Sequence, residues 1–180
     1  MLHLDDLLTA LRAARDVEDL TAIREIVAMA VAHPPVAAEK GDPHRLRILH
    51  NEDDLMVIHV VVPSGLASAP HEHRTWAAVG VYEGQEDNRF YRRLKQPDTI
   101  ERASGRSVCK GDVLVMGSQV VHEISNPRQQ PLMALHVYGR DLAATGRMAW
   151  DRTTFKPEPF DPAKHGTRMT PAEIAELRQK

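Results

Sequence analysis

Between residues 45 and 138 the sequence is a succession of short β-type runs broken by turn residues, with no helical apolar period between them. The runs are Arg45–His50, Leu55–Val62, His71–Tyr82, Asn88–Leu94, Ser107–Cys109, Asp112–Met116, Val120–Ser125 and Leu132–Tyr138. Pro63-Ser64-Gly65, Glu83-Gly84, Ser104-Gly105, Lys110-Gly111-Asp112 and Asn126-Pro127 separate them. Short strands at close spacing, without helices to carry crossovers, predict an antiparallel sandwich or barrel and exclude a βαβ sheet.

The flanks read differently. Leu4, Leu7, Leu8 and Leu11 fall at helical spacing, and Leu20, Ile23, Val27 and Val31 resume it after a break near Asp16–Asp19. His33-Pro34-Pro35 closes this region, because the residue before a proline disfavours helix. The apolar stripe is expected to pack these helices on the outside of the main body. After Gly139 the chain is irregular and holds Pro157, Pro159 and Pro162; Thr170-Pro171-Ala172-Glu173 then carries a capping-box start for a last short helix. The expected organisation is a helical segment over 1–40, a barrel over 41–142 and a wrap over 143–180, together one domain.

Composition fits that reading. At 180 residues, with 42% hydrophobic and 27% charged residues, the chain can bury a real core. A net charge of -2 gives no reason to expect nucleic acid or an anionic membrane as a partner. The single cysteine, Cys109, excludes an internal disulfide and suits a reducing compartment. It reads as a plain, partly buried thiol. Met1-Leu2-His3-Leu4-Asp5-Asp6 lacks the basic and apolar regions of a signal peptide, and the hydrophobic runs are too short to span a bilayer, so a cytoplasmic location is expected. Nothing in the sequence sets the oligomeric state.

Chemistry concentrates in Pro70-His71-Glu72-His73-Arg74-Thr75-Trp76. Side chains two apart on an extended strand share a face, so His71 and His73 can aim their imidazoles at one point, as a divalent transition metal requires. A second histidine-bearing stretch, Gly111-Asp112-Val113-Leu114-Val115-Met116-Gly117 and Ser118–Asn126, follows and carries His122. Gly65, His71, His73 and Gly84, then Gly111, His122 and Asn126, fall in the order and spacing of the two motifs of the cupin superfamily, and about residues 60–140 carry the resemblance. Ala77 stands where the first motif has a glutamate; Gly117 and Gln119 stand where the second has its proline and inner glycine. The resemblance implies an all-β fold, a cupin double-stranded β-helix barrel with the N-terminal helices packed outside.

Without the glutamate, the metal ligands implied are three neutral imidazoles, which leave the metal's charge to be balanced by an anionic substrate such as a thiolate. In this respect the chain resembles the cysteine dioxygenase-like thiol dioxygenases. Ala134-Leu135-His136-Val137-Tyr138 is similar to their Ser-x-His-x-Tyr strand, with His136 and Tyr138 in place and Ala134 where the serine stands, so that the hydrogen-bond chain to His136 is expected to be shortened or to use water. Ala77 and Ala78 leave no cysteine to crosslink to the tyrosine. The resemblance implies iron(II) held by His71, His73 and His122, with Tyr138 and His136 as the catalytic pair. It implies a small thiol carboxylate and dioxygen as substrates. Arg147, or Arg47 with Arg45 nearly as good, would bind the carboxylate, so cysteine and 3-mercaptopropionate both stay open. The alternatives are another metal-dependent cupin enzyme or a zinc-binding cupin sensor. His59, in Val57-His59-Val61, reads as a structural histidine that could also point inward.

Overall fold

The computed structural model describes residues 3–16, 19–34, 46–96, 98–164 and 166–179. Helices α1 (Leu4–Asp16) and α2 (Leu20–Ala32) form where the apolar spacing predicts them. The break between them is set by Asp19, whose carboxylate accepts from the Thr21 and Ala22 backbone N–H groups and so caps two otherwise unpaired donors. His33 closes α2 with its N–H on the Met29 carbonyl, one residue before Pro34. The expected boundary at residues 40–41 lies outside the described residues, as does Arg45.

Two antiparallel sheets follow. The first holds β1 (Leu46–Glu52), β2 (Leu55–Val62), β10 (Leu132–Tyr138), β5 (Ala77–Glu83) and β8 (Val113–Met116), in that spatial order. Alternation divides its side chains between two faces. Leu55, Val57, Ala78, Leu135 and Val137 face α1 and α2, where Leu7, Leu11, Ile23, Val27 and Val31 bury their stripe. Helix α2 comes close at Gly80, where a Cβ would meet Val31 at 2.5 Å and Val27 at 2.8 Å. Met56, Ile58, Ala77, Val79, Val81, Ala134 and Tyr138 face the other way, into the barrel.

The second sheet closes the barrel. Its centre is β9 (Val121–Asn126), bordered on one side by β6 (Gln85–Arg93) and on the other by the short β3 (Leu66–Ala67) and β4 (His71–Glu72). β7 (Ile100–Cys109) pairs with β6 and forms the edge. The C-terminal stretch adds β11 (Met148–Trp150) beside β4, then β12 (Pro157–Pro159) and β13 (Thr167–Arg168). Helix α3 (Pro171–Arg178) starts on the full capping box of Thr170 and Glu173.

Several expectations need correction. His71–Tyr82 is not one strand: it breaks between β4 and β5, where Arg74 takes φ 57 and turns the chain. The β7 strand is ten residues long rather than the three of Ser107–Cys109. Cys109 is exposed, because β7 has a neighbour on one side only. His59, read as a structural histidine, lies on the outer face of β2, its ring stacked against Tyr82 at 5.7 Å between centroids, so only the inward alternative falls. No helix among the described residues is long and apolar enough to cross a membrane.

Candidate metal centre

Antiparallel pairing brings the histidines together. His71 on β4 lies directly opposite His122 on β9, so both rings leave the same face, into the barrel. His73 follows two residues later and returns to that face at the Arg74 turn. All three side chains are buried, and one nitrogen from each lies within 4.8 Å of the others. Nε2 of His73 and Nε2 of His122 are 3.4 Å apart. Two metal–nitrogen bonds of about 2.0–2.1 Å at a tetrahedral angle span about the same distance.

The donor chemistry fits a metal as well. Nδ1 of His71 is 3.0 Å from the Ala69 carbonyl, an acceptor, so its proton sits there and Nε2 keeps its lone pair. Nδ1 of His122 is 2.8 Å from Oδ1 of Asn88. Burial pulls the His122 pKa down to about 4 against the opposing pull of Glu86, so the ring is neutral and able to bind a cation at neutral pH. The ligand cluster holds no carboxylate among the described residues. Glu72, between two of the histidines, points away from them. It accepts from Arg74 Nε at 2.6 Å, from Arg93 and from the Met148 backbone N–H at 3.0 Å, and so ties the histidine turn to β11.

A cavity of about 330 Å³ opens on this cluster. His71, His122, His136, Tyr138 and Arg147 line it together with an aliphatic wall that includes Ile58, Val60 and Leu142, and with Phe160. His136 and Tyr138 share the inner face of β10, with Nδ1 of the imidazole 3.0 Å from the phenol oxygen. The phenol stands over His73, ring centroids 4.9 Å apart. Burial and the Glu86 charge raise the Tyr138 pKa above the usual phenol value against the pull of Arg147, so it stays protonated. The Arg147 guanidinium lies 3.4 Å from the Phe160 ring centroid. Burial lowers its pKa to about 10, which leaves it charged at neutral pH. Among the described residues no carboxylate pairs with it. Arg47 is not brought to the cavity. It is exposed on β1, in register with His59 on the outer face.

Sequence reasoning missed Glu86, Asn88 and Phe160. Glu86 is fully buried and places Oε2 3.2 Å from Nε2 of His136, so the partner expected to be water or nothing is a carboxylate from β6. The signal was the period-two series Glu86, Asn88, Phe90, a polar start to an inward-facing strand whose Phe90 ring stacks on His122.

The topology decides the architecture: two facing antiparallel sheets, with the histidines carried by β4, its following turn and β9. The fold is a double-stranded β-helix barrel of the cupin type. No protein-family model matches the chain. Among solved structures it is similar to an RmlC-like cupin family protein with a double-stranded β-helix fold from Methanocaldococcus jannaschii, at 17% identity and a TM-score of 0.45 over 60% of this chain and 92% of that one. An uncharacterized conserved protein with a double-stranded β-helix domain from Klebsiella pneumoniae aligns at 18% identity and a TM-score of 0.44, over 59% and 79%. Oxalate decarboxylase from Bacillus subtilis, a protein with Mn(II) centres, aligns at 18% identity and a TM-score of 0.40 over 49% of this chain, a segment that spans 22% of the decarboxylase chain.

Proposed function

We propose that this cupin is an iron(II)-dependent thiol dioxygenase that converts a small thiol carboxylate to its sulfinate. One observation carries the reading. The buried three-histidine cluster opens through His71 and His122 on a cavity that Arg147 also lines, and no carboxylate is among the described residues lining it, so that bound metal would leave it cationic. A substrate with a thiolate at one end and a carboxylate at the other supplies both missing charges.

Bound iron(II) supplies an electrophilic, redox-active centre at which sulfur and dioxygen can be held next to one another. The chain's own residues do the rest. His71, His73 and His122 present the three nitrogens, and Arg147, held flat by Phe160, fixes the carboxylate and so the direction of the sulfur. Tyr138, protonated and oriented by His136, presents its oxygen to a polar group in the cavity. Ile58, Val60 and Leu142 keep water from the reacting atoms. Both atoms of dioxygen end on sulfur, RS⁻ + O₂ giving RSO₂⁻, so the balance needs no external reductant and no added proton.

Product analysis under oxygen-18 gas tests this. Sulfinate carrying label at both oxygens is the expected outcome; disulfide, or sulfinate labelled from solvent, would refute the reading.

A further inference from the structure

Behind the histidines lies a buried carboxylate that is hydrogen-bonded to none of the three and does not line the cavity. Glu86 is on β6, fully buried, with each oxygen committed to a different partner: Oε1 accepts from Nδ2 of Asn88 at 2.9 Å and Oε2 lies 3.2 Å from Nε2 of His136. We propose that Glu86 is the positioning residue of the centre, fixing through Asn88 which nitrogen of His122 faces the metal and through His136 which way the Tyr138 hydroxyl points. The inference rests on the metal-centre reading above, but its main prediction concerns the metal-free protein.

The argument follows the protons. Burial works to raise the Glu86 pKa, but the His136 ring and the Asn88 amide outweigh it and hold the group ionised. An ionised carboxylate only accepts hydrogen bonds. The Asn88 atom beside it must therefore be the amide nitrogen, which leaves the amide oxygen 2.8 Å from Nδ1 of His122. That oxygen accepts too, so Nδ1 of His122 carries the ring proton. The lone pair is left on Nε2, the atom 3.4 Å from Nε2 of His73.

The other arm runs the same way. Oε2 requires a proton on Nε2 of His136 in either charge state of the ring; in the neutral form Nδ1 is then the acceptor for the Tyr138 hydroxyl at 3.0 Å. The phenol's proton is turned toward His136 and its oxygen lone pairs toward the cavity. Ala134, where the related strand has serine, has no polar atom to do this. One carboxylate thus orients a metal ligand on β9 and a phenol on β10, two strands of opposite sheets.

Long-range nitrogen–proton NMR of the histidine rings reads the tautomers directly in metal-free protein at mildly alkaline pH. The expected result is His122 protonated on Nδ1 and His136 on Nε2. Glu86→Met, close in volume but with no acceptor, releases both arms: each histidine becomes a tautomer mixture, and cobalt(II) affinity falls about 10- to 100-fold. Glu86→Gln offers one acceptor where the carboxylate has two, so only one of the two histidines keeps its tautomer. Either histidine in the opposite tautomer in the wild type, or both unchanged in Glu86→Gln, overturns the inference even if Glu86→Met fails to fold. Wild-type protein with the expected tautomers that binds no cobalt(II) would instead overturn the metal reading and leave the proton assignment in place.

Discussion

Replacing Arg147 tests how the cavity selects its substrate. In Arg147→Gln the cation is lost while Phe160 and the metal ligands keep their places. A charge-assisted pair with one partner removed costs about 2–5 kcal/mol when buried, and Arg147 is half-buried, so the lower part of that range applies. About 2–3 kcal/mol corresponds to a roughly 30- to 150-fold loss in kcat/KM. The carboxylate is bound away from the reacting sulfur, so most of the loss is expected in KM. Steady-state oxygen uptake with 3-mercaptopropionate or cysteine measures it, and cysteamine, a thiol without a carboxylate, is the control that should lose nothing. Arg147→Lys should fall between, since the ammonium keeps the charge but loses the planar fork and its stacking on Phe160. Equal losses for thiols with and without a carboxylate, or no loss at all with iron fully loaded, would refute the assignment of Arg147.

Other substitutions separate the parts of the site from the scaffold. His122→Ala removes one of three ligands, and metal analysis should find the variant empty after anaerobic loading; a full complement of iron would remove His122 from the centre. Tyr138→Phe should retain iron and lower turnover about a hundredfold, the lower end for loss of a positioned proton-handling group, whereas metal loss would make the tyrosine a structural element. Gly80→Ala drives a methyl into Val27 and Val31 of α2 and should cost about 1–3 kcal/mol in denaturant unfolding without changing iron content; an unchanged midpoint would mean that α2 does not rest on β5.

The barrel was legible because its strands alternate between a core face and an outer face. The histidines were legible because the short-range spacing of His71 and His73 and the order of His122 in the chain survive into three dimensions. Other features had no such local mark. β7 is exposed on both faces over 102–107, so this stretch shows no alternation, and its existence depends on pairing with β6. The break after Glu72 is made by Arg74, which does not belong to the usual turn residues; the register of His71 against His122 and the ties from Glu72 hold it there. Glu86 was hidden for a related reason: it sits two residues past Gly84, and its partners are 50 residues away at His136 and two away at Asn88. Arg147 and Arg47 looked alike in sequence. Only the return of the C-terminal stretch beside β4 brings one of them to the cavity.

Oxygen uptake by anaerobically iron-loaded protein, given 3-mercaptopropionate, cysteine and cysteamine in parallel, tests the central claim most directly. The account predicts one-to-one consumption of oxygen and a thiol carboxylate, with sulfinate as product and cysteamine the poorer substrate. Protein that holds iron at the three histidines and consumes no oxygen with any of the three would contradict it.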